Sequence, residues 1–372
     1  MKNKIRIPFN KPFISGQEIY YISQAVQENH HTAGDGPFTK ECQKWLEKNL
    51  GCRKALLTHS CTAALEISAL LMNIQPGDEI IMPSYTFVST ANAFARAGGI
   101  PVFVDIRPDT LNMNENLIES AITPRTRAIL PVHYAGVSCA MDRIMDIAAR
   151  HHLWVIEDAA QGILSSYKSH PLGTLGDLGA CSFHETKNIM SGEGGALLIN
   201  NEEFLERAEI ICEKGTNRRQ FFRGEVDKYT WVDIGSSYLP SDILAAYLYA
   251  QMENADQIIA KRNLIYDHYM KELKSVGEEG YLRLPYIPDD CRSNGHIFYV
   301  MTRSLQERIG LAQYLLDRGI LALFHYVPLH SSPAGKRYGR TVGNMEITDR
   351  VSDCLLRLPL YPSLTPTETD FI

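Results

Sequence analysis

The chain has 372 residues, 45% apolar and 22% charged, with a net charge of −6, a globular profile with room for two domains and no global field to draw nucleic acid or an anionic membrane. No apolar run approaches bilayer-spanning length, and the basic residues of the amino terminus (Met1 to Pro8) have no apolar stretch behind them, so neither a membrane span nor a signal peptide is expected. Eight scattered cysteines without a C-x-x-C pair suggest reduced thiols in the cytoplasm, not a disulfide frame or a zinc site.

In chain order, residues 6–12 are proline-punctuated and extended. Ser15 and Glu18 form a capping box for a helix over Ile19, Ile22 and Val26. A loop with Gly34, Gly36 and Pro37 leads to an amphipathic helix through Phe38, Cys42, Trp45 and Leu46. From Lys54 strands and helices alternate. Strands are predicted at 55–58, 80–82, 102–105, 128–133 and 153–156, separated by helices at 63–71, 86–97, 115–122 and 141–151. Strands at 180–184 and 196–199 follow, then a helix over 202–213 and a polar loop over 214–237. Helix resumes at Asp242. Beyond it come a strand at 297–301, a helix at 311–318 and a strand at 321–324. The pattern predicts an α/β fold: a mostly parallel sheet with helices on both faces. Residues 1–240 form the large domain and 241–372 a smaller α+β domain.

Ligands of such sheets bind beyond the carboxyl ends of the strands. The groups predicted there are His59 to Thr62, Ser84 to Phe87, Asp158 with Gln161, and Ser182 to Lys187. Taken singly each has an ordinary explanation: a surface lysine, a capping aspartate, a core phenylalanine, Ser and Thr as helix caps. Together they make a set. A lysine able to form a Schiff base and an aspartate that keeps a pyridine nitrogen protonated are the minimum protein equipment for pyridoxal 5'-phosphate (PLP) chemistry. Ser60, Cys61 and Thr62 at a helix start supply hydroxyls and free N–H groups for a phosphate, with Ser182 as a second ligand. Phe87 is placed to lie on the ring, and Gln161 to bond its hydroxyl. The His30-His31 and His151-His152 pairs lack a metal-site context.

These residues also fall in motifs: Ser-Cys-Thr-Ala-Ala-Leu from Ser60, Pro-Ser-Tyr-Thr-Phe-Val from Pro83, Pro-Val-His-Tyr-Ala-Gly from Pro131, Glu-Asp-Ala-Ala-Gln from Glu157, Ser-Phe-His-Glu-Thr-Lys-Asn from Ser182 and Gly-Glu-Gly-Gly from Gly192. In order and spacing the chain resembles the DegT/StrS sugar-nucleotide aminotransferases. The resemblance implies the PLP-dependent transferase fold-type I with a seven-stranded sheet, an amino-terminal segment packed on the small domain, and a homodimer with shared active sites. It implies PLP as cofactor and L-glutamate as amino donor. Lys187 is then the Schiff-base lysine, Asp158 the pyridinium partner, Gln161 the neighbour of the ring oxygen, and Phe87 the stacking residue. Two departures stand out. Cys61 replaces the usual Gly or Ser, and Ser236 and Ser237 occupy the segment where relatives carry an Asn that reaches the neighbouring subunit's phosphate.

The runs Lys214 to Gly224 and Asp227 to Tyr238 narrow the resemblance to members that aminate C4 of a dTDP-linked 4-keto-6-deoxyhexose for cell-surface polysaccharide. In this loop Arg218, Arg219 and Arg223 suit a sugar-nucleotide diphosphate, with Tyr229 or Trp231 stacking on a base. A solvated face is the plain alternative, and the acidic total argues against RNA. Tyr326 and His330 lie in a segment that resembles the family's sugar site. Two rivals are a sugar dehydratase, whose relatives carry His where this chain has Lys187, and a non-catalytic sugar-nucleotide regulator.

Overall fold

Short apolar runs cannot satisfy their backbone groups alone, and here they pair into one sheet. The computed structural model describes residues 6–372, so the reading of the first five residues lies outside the described part. The seven expected strands are β1 (Lys54–Thr58), β2 (Glu79–Pro83), β3 (Ile100–Val104), β4 (Thr126–Ile129), β5 (Trp154–Asp158), β6 (Leu178–Ser182) and β7 (Gly195–Ile199). Their spatial order is β1-β7-β6-β5-β4-β2-β3. The expected seven become eight, because Arg340–Thr341 adds a short parallel strand on the outer edge of β3. The neighbours from β3 through β6 pair in parallel, whereas β7 runs antiparallel to both β1 and β6. Its first residue, Gly195, therefore lies opposite Thr58 and Ser182, at the end where β1 and β6 finish.

Alternate side chains of each strand enter opposite layers. Leu57, Ile81, Val102, Val155 and Leu198 pack under α2 (Pro37–Leu50), α5 (Met141–His151) and α7 (Asp242–Glu253). Leu56, Ile80, Phe103, Ile156 and Leu197 pack under α3 (Cys61–Leu71), α4 (Val88–Ala95) and α6 (Leu205–Cys212). A further core gathers Ile265, Tyr266 and Tyr269 of α8 (Ala255–Glu272) with the antiparallel pair β8 (Phe298–Met301) and β9 (Leu355–Leu358), and Ile7 joins it. Although α7 follows residue 240, its Ala245, Ala246 and Leu248 belong to the large core.

Three local expectations change. The helix α1 (Glu18–Ser23) turns Glu18 inward and leaves Ile19 75% exposed, and Ala25 is buried in the π-helical turn that follows, Gln24–Glu28. Only half of the capping box forms, since Glu18 accepts from the Ser15 and Gly16 amides while the Ser15 hydroxyl donates to Ala250 O. The strand expected over 128–133 stops at Ile129, and beyond Pro131 only a single bridge joins Val132 to Asp158. Residues 321–324 form no strand; Leu323 makes one bridge, to Arg357.

Candidate active site

The carboxyl ends of β1, β2, β5 and β6 open on a cavity of about 700 Å³ whose far wall comes from the 296–297, 323–326 and 357–360 segments. Ser60, Cys61, Thr62, Phe87, Asp158, Gln161, Ser182, Lys187 and Tyr326 all line it. Asp158 sits at the end of β5, where its backbone ties to Pro131 and His133. One carboxylate oxygen accepts from the Thr90 hydroxyl at 2.8 Å and the other from the Ala160 amide at 3.1 Å. Thr90 is in turn bonded to Thr86 at 2.8 Å. Burial pushes the Asp158 pKa up, against the pull of Thr90, Ala160 and Lys187. A buried carboxylate in that condition is stabilised by a cation, and a protonated ring nitrogen is one.

Behind Asp158, Glu157 is wholly buried and accepts from His133 and from the Gly173, Leu175 and Gly176 amides, which fixes the end of β5. Gln161 accepts from the Ala135 amide at 2.6 Å and donates to Tyr326 OH at 2.7 Å, leaving its second amide N–H for a ligand oxygen. Phe87 caps the start of α4 at the cavity with its ring 57% exposed.

The start of α3 offers an anion cradle to the same cavity. Ser60 is the N-cap of α3 and its hydroxyl accepts from the Ala63 amide, so the Cys61 and Thr62 amides are left for a ligand. The Thr62 hydroxyl bonds to Ser89 at 2.7 Å. β7 approaches so closely that a Cβ on Gly195 would lie 2.3 Å from the Cys61 nitrogen. Cys61 thus presents its amide, and burial pushes its thiol pKa well up, away from the reactive thiolate. Lys187 lies in the loop joining β6 to antiparallel β7, pinned by Phe183 N–H to Gly194 O and Glu185 N–H to Gly192 O. Burial lowers the Lys187 pKa, with Cys61 and Asp158 pulling the other way. A lysine held toward its neutral form is a nucleophile. The residues fit PLP: an anion site, a cation-seeking carboxylate and an amine line one cavity.

A family model for DegT/DnrJ/EryC1/StrS aminotransferases matches residues 12–372. The chain belongs to that family. This aminotransferase is 30% identical to GDP-perosamine synthase of Caulobacter vibrioides, over all of this chain and 97% of that one. It is also 30% identical to the spore coat polysaccharide biosynthesis protein SpsC of Bacillus subtilis, over 98% and 94%. Among solved structures, the PLP form of a sugar aminotransferase, Spr1654 of Streptococcus pneumoniae, superposes with a TM-score of 0.89 at 27% identity, covering 98% of this chain and 96% of that one. The enzyme is a PLP-dependent sugar aminotransferase with an α/β, fold-type I architecture.

Six expected positions do not reach the aminotransferase's own cavity. Arg218, Arg219 and Arg223 are neutralised within the chain: Arg218 by Glu213, Arg219 by Glu213, Glu209 and Asp35, and Arg223 by Glu209 and Glu225. His330 also lies outside the lining of this cavity. Its ring bonds to the Ser84 hydroxyl at 2.8 Å, clamping the 328–331 turn onto the end of β2. Ser236 and Ser237 are exposed on the segment after Gly235, outside the cavity. Conversely, Thr90, Arg262, His296, His325 and Arg357 line the cavity without having been singled out in the sequence. Thr90 alone left a local trace, one turn after Phe87.

Proposed function

We propose that the enzyme moves an amino group from L-glutamate to C4 of a dTDP-4-keto-6-deoxyhexose, giving dTDP-4-amino-4,6-dideoxygalactose and 2-oxoglutarate. Its product would serve a cell-surface polysaccharide of the enterobacterial common antigen type. The observation that carries the reaction is the meeting, in one cavity, of Lys187 with its lowered pKa and buried Asp158. Bound PLP supplies the electron sink. Lys187 Nζ moves the proton between the two carbons that exchange it. Asp158, steadied by Thr90, holds positive charge at the far end of the ring, and the spare Gln161 N–H orients the ring oxygen. The Cys61 and Thr62 amides, with Ser182, hold the phosphate.

The resemblance of the 214–238 run to members that act on dTDP-linked sugars, not the paired arginines within it, supports the dTDP-linked substrate. A GDP-linked 4-keto sugar is the second reading, favoured by the full-length similarity to GDP-perosamine synthase. We place the enzyme in the cytoplasm as a homodimer. Exposed apolar side chains at Ile19, Trp231 and Ile234 are surface that a second copy would cover. Mass spectrometry of products from dTDP-, UDP- and GDP-4-keto sugars with glutamate tests the assignment. Amination of the GDP sugar alone would select the second reading.

A further inference from the structure

Two guanidinium groups on the cavity wall, Arg262 and Arg357, have no carboxylate within ion-pair distance among the described residues. The loop arginines differ, each being paired with at least one acid. Arg357 leaves β9 with its Nε and Nη2 both donating to Phe324 O, at 3.2 and 2.8 Å. Its Cζ lies 4.5 Å from the centroid of the Phe9 ring. That geometry uses the side edge of the guanidinium and leaves Nη1 and the second Nη2 proton, the end-on fork that fits a carboxylate. Arg262 is buried; Nε and Nη2 donate to Gly295 O and His296 O, and Nη1 has no partner among the described residues. Both arginines, with Lys187, act on His296, whose ring Nδ1 bonds to Asn188 Oδ1, so they surround one part of the wall. The buried acid of the cavity, Asp158, is the one that the proposed function assigns to the ring nitrogen.

We propose that Arg357, backed by Arg262, anchors the carboxylates of a dicarboxylic amino donor, with the free fork of Arg357 making the bidentate contact. This rests on the aminotransferase reading and assigns its donor subsite. Burial lowers the Arg262 and Arg357 pKa values with no acid to offset the desolvation, so an anionic ligand relieves both. The ligand is a carboxylate and not a nucleotide diphosphate because of where the charge lies. A donor amino acid carries a carboxylate on the very carbon that reacts beside Lys187. A nucleotide-linked sugar carries its diphosphate across the ring from C4.

The test titrates the PLP-loaded enzyme with glutarate, an unreactive dicarboxylate, and with dTDP, by calorimetry. Loss of visible absorption on adding glutamate is followed in parallel. Arg357→Gln should weaken glutarate and glutamate roughly 10- to 100-fold, the worth of one charged hydrogen-bonded contact. It should leave dTDP affinity within about two-fold. Arg357→Lys keeps the charge without the fork and should regain only part of the loss, which also covers the case where the glutamine variant fails to fold. Unchanged glutarate binding in either variant, or a dTDP loss as large as the glutarate loss, overturns the proposal. A wild-type enzyme that binds glutarate through Arg357 yet never loses absorption with glutamate would instead count against the aminotransferase reading.

Discussion

Replacing Gly195 by alanine tests where the cofactor phosphate sits. The new Cβ would lie 2.3 Å from both the Cys61 nitrogen and the Ser60 carbonyl carbon, and 2.6 Å from Ser60 O. Comfortable carbon contacts are about 3.5–4.0 Å, so the overlap exceeds ~1 Å. All three atoms are main chain, and no rotamer relieves them. β7 cannot retreat, because it is paired along its length to β1 on one side and β6 on the other. The helix start must move instead. Overpacking of this kind costs about 1–3 kcal/mol. A displaced phosphate donor forfeits a charged hydrogen bond of about 1.5–3 kcal/mol, or roughly 10- to 100-fold in PLP affinity. The assay is a PLP titration of the apoprotein, with melting curves alongside. A variant that melts with the wild type and binds PLP within about two-fold would refute the placement of the phosphate on the Ser60 to Thr62 turn.

Lys187→Ala should abolish both the visible absorption of lysine-bound PLP and amino transfer; retained absorption would mean that another amine holds the cofactor. Asp158→Asn should still bind PLP but lose on the order of 10²-fold or more in turnover, and full activity would remove the charge argument. The same variant makes a pH prediction. Burial raises the folded pKa of Asp158, so without cofactor its ionisation opposes folding as pH climbs past the unfolded carboxylate value of about 3.9. Apo Asp158→Asn should therefore melt at or above the apo wild type near neutral pH, with the gap closing as pH falls toward that value, and a lower melting temperature at neutral pH would contradict the sign. Arg219→Ala should cost about 1–3 kcal/mol in stability, read by denaturant unfolding, because buried Glu213 keeps only Arg218 and half-buried Glu209 only Arg223, and an unchanged midpoint would show the cluster to be idle.

Much of the cavity was legible in the sequence because its residues follow apolar strands directly. Asp158 ends β5, Ser60 follows β1, and Ser182 ends β6, so placing the strands placed the chemistry. The far wall gave no such signal. Arg262 sits inside a helix and Arg357 inside a strand of the small-domain core, and only tertiary packing brings them to the cavity that Lys187 lines. The loop arginines looked available because their partners were weighed apart from them, although Glu209 and Glu213 lie just upstream. The strand expected over 321–324 failed because Leu323 makes a single bridge to Arg357 and the neighbouring Ile320 a single bridge to Ile7, not a full ladder.

The reversed direction of β7 has a consequence for synthesis. The strand order puts residues 195–199 between two strands made earlier, so β1 and β6 stay apart until that stretch has left the ribosome. A nascent chain halted before residue 195 would carry the lysine and the aspartate with no wall behind the helix start, and uptake of the vitamin B6 cofactor should begin only after this strand emerges.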